Sequence, residues 1–120
     1  MLTQEVQLRV KRQVTTITTA YQQAKAIGYN IAAVSLPSFE SQEDHDLYHP
    51  DDAGQAFSDA NEFVDEIRKG LQSNGIPAEL VVIRFPEYSK WLEGRSNSKE
   101  NRSAFGAHLL AKKKRAGRKP

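Results

Sequence analysis

The sequence predicts a small single α/β domain: a short parallel sheet flanked by helices, followed by a flexible basic arm. Three observations carry this prediction. Two short apolar runs, NIAAVSLP at 30–37 and AELVVIRF at 78–85, read as buried strands. A helix-period stripe between them supplies the crossover that a parallel pair needs. The last nine residues, KKKRAGRKP, carry six positive charges.

The first segment reads two ways. Val6, Val10, Val14, Ile17, Tyr21, Ala24 and Tyr29 recur at steps of three to five, which predicts a helix from about Gln4 to Ala26, ended by Gly28. Against it, Val6, Leu8 and Val10 alternate with polar residues and TTITT at 15–19 is β-branched, which would suit a strand over 5–12 and a helix over 18–27. The longer periodicity favours the single helix. The first strand follows and is expected to stop at Pro37. Residues 38–56 show no sustained period and read as a long acidic loop; from Glu40 to Glu66 there are ten acidic residues and no Lys or Arg.

Phe57, Ala60, Phe63, Val64, Ile67 and Leu71 then form one apolar stripe, with Ser58 as the expected N-cap and Asn74-Gly75 as the stop. The second strand is expected to end at Pro86. Tyr88 to Leu92 reads as a helical turn, and residues 94–102 as a polar connector. A last helix is expected from about Lys99 to Ala111, anchored by Phe105 and Leu109, with Ala104 and His108 on the same side and Gly106 weakening it. The resulting division is a domain over 1–111 and a basic tail over 112–120. Two strands make a thin sheet, so added strands from a second copy are a natural way to extend it.

Composition narrows the function. With no cysteine, disulfides, thiolate metal sites and a Cys nucleophile are excluded. The N-terminus lacks the apolar core of a secretory signal, and no run approaches 18 apolar residues, so no membrane span and a cytoplasmic location are expected. The formal charge of +2 hides an asymmetry: outside the last nine residues, 11 Lys+Arg face 15 Asp+Glu, a net of −4. A basic arm on an acidic body is suited to a polyanion.

Three groups of residues are candidates for function. In the tail, Lys112, Lys113, Lys114, Arg115, Arg118 and Lys119 would meet phosphates. GRKP at 117–120 resembles the core of an AT-hook, which implies a basic arm lying in an A·T minor groove; here Ala116 separates Arg115 from Gly117, and a single arginine flanks the glycine. After the second strand, Tyr88, Lys90, Trp91, Arg95 and Arg102 interleave aromatics with cations, so bases could stack while cations meet phosphates. In the acidic loop, Asp44, Asp46 and His49 are oxygen and nitrogen donors that could share a divalent cation, which would organise water for phosphodiester hydrolysis. No HExxH, EF-hand, GxSxG, P-loop or dinucleotide fingerprint is present.

The expected function is therefore that of a nucleic-acid-associated accessory protein. It would bind DNA or RNA non-specifically through the basic arm, with Trp91, Arg95 and Arg102 as a second surface. It reads as a binding protein rather than an enzyme, with no cofactor beyond that cation. Two alternatives belong to other classes: a protein-interaction module, acting with a partner or as a homodimer, and a small metal-dependent phosphoesterase or nuclease.

Overall fold

The computed structural model describes residues 2–116. In chain order it contains α1 (Gln4–Ala26), β1 (Val34–Phe39), α2 (Gln42–Tyr48), a 3-10 turn (Pro50–Asp52), α3 (Phe57–Ser73), β2 (Ala78–Ile83), α4 (Phe85–Leu92) and α5 (Lys99–Ala116). The two strands pair in parallel, with Val34 opposite Ala78 and Phe39 opposite Ile83. The result is a small, mostly helical domain of five helices around a two-stranded sheet.

The side-chain period of two divides the core between the two sheet faces. Leu36 and Ala78 join Ile67, Leu71 and Ile76, and the half-buried Val10, Val14, Ile17 and Tyr21 of α1 close this cluster. Phe39, Val81 and Ile83 face the other way and pack with Tyr48, Tyr88, Leu92, Phe105 and Leu110. One face of the sheet therefore carries α3 with α1 outside it, and the other carries α2, α4 and α5.

The single long first helix has the expected bounds, and the strand-plus-helix alternative fails. Thr3 caps it by accepting the Val6 N–H at 3.2 Å, and Gly28 follows at φ 98°. Tyr29 lies beyond its end and is exposed, so it drops out of the stripe. The first strand begins later than expected and runs through Pro37. A two-stranded sheet leaves each strand an outer edge, where a missing N–H costs no ladder bond.

Residues 38–56 are not a loop. Ser41 starts α2 by accepting the Asp44 N–H at 3.1 Å and donating its hydroxyl to Asp44 Oδ2 at 3.0 Å. The helix has only seven residues, too short for its apolar period to emerge in a charged sequence. Ser58 is not the cap of α3, which starts one residue earlier: the Phe57 N–H donates to Gln42 Oε1 at 3.1 Å, so α2 supplies the missing partner. Asn61 in turn closes β1, accepting from the Phe39 N–H at 2.9 Å and donating to the Phe39 carbonyl at 2.7 Å.

Pro86 does not end β2 but sits in the first turn of α4, where a fixed φ and a missing N–H are both tolerated. α4 stops at Glu93 and Gly94, both at positive φ. The flexible arm is not observed for residues 112–116, which continue α5 as helix; Gly117 to Pro120 lie outside the described residues. α5 is also rotated from the expected setting: Gly106 and Leu110 are buried beside Phe105, Leu109 is half-buried, and Ala104 and His108 are exposed. No helix among the described residues is long and apolar enough to cross a membrane.

Candidate nucleic-acid interface

Trp91 is the centre of an aromatic group built by α4 and α5. Its ring is stacked with Tyr88 at 6.3 Å between centroids and tilted against Phe105 at 5.3 Å and His108 at 6.2 Å. Positions 88, 91 and 92 fall on one face of α4 and supply its buried side. The Arg95 guanidinium lies 4.4 Å from the Trp91 ring centroid. Two bonds hold it there, Nε to the Leu92 carbonyl and Nη2 to the Trp91 carbonyl, both at 2.8 Å. Arg95 thus satisfies carbonyls at the end of α4 while presenting a flat cation above an indole.

Along α5, His108, Lys112 and Arg115 are spaced i, i+4 and i+7, so one stripe of the helix leads from the aromatic group to its basic end. Lys112 and Arg115 are exposed and have no acidic partner among the described residues. Lys113 and Lys114 project elsewhere: each approaches Glu79 of β2 at 3.7 Å. Pairs as exposed as these contribute little to stability and are screened by salt. The basic end of α5 therefore divides into two cations tied to the sheet and two facing solvent. Arg118 and Lys119, with the AT-hook-like GRKP, lie outside the described residues.

Arg102 stands apart from Trp91 and Arg95. Its Nη1 donates to Asn97 Oδ1 at 3.0 Å and to the Asn97 carbonyl at 3.3 Å, and the side chain borders a cleft between β1 and α5. Asn97 is itself fixed, receiving the Tyr88 hydroxyl at 2.7 Å and donating to the Tyr48 carbonyl at 3.1 Å.

The acidic-histidine segment is organised by its own hydrogen bonds. Asp44 Oδ1 accepts the Phe85 N–H at 2.9 Å, tying the start of α4 to α2, while its other oxygen holds Ser41. Asp46 Oδ1 accepts from Gln42 Nε2, from His45 Nδ1–H and from the Gly54 N–H. These bonds, the one from His45 foremost, hold the Asp46 carboxyl below the usual carboxylate range. His45 is 1% exposed and packs edge-on against Phe39. His49 is held below the ordinary histidine range, first by burial and then by the positive charge of Arg102. Asp44 and Asp46 are two residues apart on one helix and point to different sides, and no group of three or more His, Asp or Glu among the described residues is placed to hold a metal ion.

The link from Trp91 through His108 to Lys112 and Arg115 is the element that sequence reasoning missed. Its signal is the i, i+4, i+7 spacing within α5, which becomes readable once the helix is known to continue past Ala111. No protein-family model, no curated protein and no solved structure matches this chain.

Proposed function

We propose that this protein is a nucleic-acid-associated accessory protein that contacts DNA or RNA without sequence preference through the exposed stripe of α5 and the adjoining Trp91–Arg95 pair. The supporting observation is the placement of Lys112 and Arg115, unpaired among the described residues, on the helical face that leads to the Trp91 aromatic group. Cations at this spacing suit successive phosphates, and an aromatic ring capped by a guanidinium suits an unstacked base. The acidic residues of α2 and the 3-10 turn add repulsion that keeps other faces off the polyanion.

Trp91 is the chain's single tryptophan, so its emission reports on this surface directly. Titration with a single-stranded oligonucleotide is expected to quench it at low salt, with recovery as salt rises. Emission that does not change while binding is detected by another probe would remove Trp91 and Arg95 from the surface.

A further inference from the structure

The cleft that Arg102 borders has the lining of a separate small-molecule site, with a volume of about 550 Å³. This lies within the range usual for such sites. Lys99, Arg102, Ser103 and Gly106, at i, i+3, i+4 and i+7, form its α5 wall. Ser35 and Pro37 of β1 stand opposite, the buried Val81 and Ile83 of β2 lie beneath, Gln13 of α1 adds an amide, and Tyr48, His49 and Asp52 contribute from α2 and the segment after it.

Two features of this lining point to an anion. Arg102 is half-buried, yet no carboxylate among the described residues pairs with it, and Asn97 is its one side-chain partner. A guanidinium has five donors, and among the described residues only Nη1 is engaged. Asn97 is anchored to the backbone of Leu47 and Tyr48, so the aim of Arg102 is set before any ligand arrives. Lys99 adds a second cation without an acidic partner among the described residues, and Ser103 adds a hydroxyl on the same wall. Asp52 is the acidic group in the lining. Its backbone N–H donates to the His49 carbonyl at 3.0 Å, which places it near His49.

We propose that this cleft binds a small phosphomonoester, with the phosphate on Lys99, Arg102 and Ser103 and the organic part over Pro37. Two cations and a hydroxyl match the charge and acceptor oxygens of a phosphate dianion. Half-buried Pro37 gives the remainder of the ligand an apolar surface to cover. This site is independent of the α5 stripe and does not rest on nucleic-acid binding.

The test is titration of the full chain with inorganic phosphate, adenosine 5′-monophosphate and an oligonucleotide lacking terminal phosphates, followed by backbone amide NMR. Inorganic phosphate should give saturable shifts at Ser35, His49, Lys99, Arg102, Ser103 and Gly106, and the monophosphate should give the same shifts at lower concentration. Affinity should fall about tenfold in Lys99→Gln, as expected for loss of one charge-assisted contact, and fall further in Arg102→Gln. Lys112→Gln should leave it unchanged. Lys99 is exposed and makes no side-chain hydrogen bond or ion pair among the described residues, so its variant reports on binding even where Arg102→Gln disturbs folding. Absence of saturation with phosphate, shifts centred on 112–115, or equal affinity in Lys99→Gln would overturn the proposal. Displacement of the monophosphate from the cleft by the oligonucleotide would also overturn it, assigning the site to a polymer backbone.

Discussion

Gly106 of α5 lies against Ser35 of β1 so closely that a methyl group at residue 106 would stand 2.7 Å from the Ser35 hydroxyl oxygen. Helix and strand approach to this distance because one partner has no side chain. Alanine at 106 gains up to about 1 kcal/mol of helix propensity but incurs an overpacking cost of about 1–3 kcal/mol. Gly106→Ala is therefore expected to lower the urea midpoint. Ser35→Ala in the same chain should restore much of the loss, because the hydroxyl is the atom in conflict. A Gly106→Ala protein as stable as the parent would show that α5 sits farther from β1.

The other face of the sheet repeats this relationship between helices. A methyl group at Gly70 of α3 would stand 2.7 Å from Val14 Cγ2 of α1. Gly70→Ala should destabilise by about 1–2 kcal/mol net of propensity. The Gly70→Ala, Val14→Ala double variant should lose less than the sum of the two single losses, as neighbours sharing one space do. Additive losses in equilibrium unfolding would contradict the close crossing.

Asn97 carries the polar connections between α2, α4 and α5. The Tyr88 hydroxyl that it accepts belongs to a side chain with 0% exposure. Asn97→Ala leaves that hydroxyl without its partner and is expected to cost about 1–3 kcal/mol. Adding Tyr88→Phe removes the orphaned donor and should recover part of the loss. No recovery in the double variant would place the importance of Asn97 in its bonds to Leu47 and Tyr48 instead.

His49 predicts a direction for the pH dependence. Burial and Arg102 lower its proton affinity in the folded chain below the ordinary value of 6.5. Between the folded and ordinary values the unfolded chain binds more protons, so stability rises with pH through that window. The contribution is complete above 6.5 and is lost as pH falls through the folded value. The urea midpoint should therefore fall between pH 7.5 and pH 5 (round values bracketing the histidine range, about 5–8), and less so in His49→Gln. Asp46 and Asp65, also lowered, act with the same sign but below the usual carboxylate value of 3.8, outside this interval. An unchanged slope in His49→Gln would assign the effect to another group.

The elements legible in the sequence were those whose apolar period is long. The helices α1 and α3 that carry such stripes span 23 and 17 residues, and the apolar centre of β2 is unbroken. α2 was hidden because seven residues, three of them acidic, show no period, and because Ser41-x-x-Asp44 differs from the usual capping box by one methylene. The extent of α5 was hidden by its lysines, which carry no core signal although they are good helix formers. The six cations at the end of the chain were visible at once. The division of Lys112 to Arg115 between Glu79 and solvent was not, because it depends on how α5 is rotated against β2. The cleft was illegible for a similar reason: its lining comes from α1, both strands, α2, the 3-10 turn and α5, and meets only after folding.

The proposed contact between the stripe of α5 and nucleic acid can be measured as duplex binding by fluorescence anisotropy across a salt series, comparing the parent chain with a Lys112→Gln, Arg115→Gln variant. Both side chains are exposed and unpaired among the described residues, so the fold should be unaffected. Weaker binding by the variant is expected, with a plot of log affinity against log salt that is shallower by about two, near one unit per lost phosphate contact. Equal affinity and equal slope in the two proteins would contradict it.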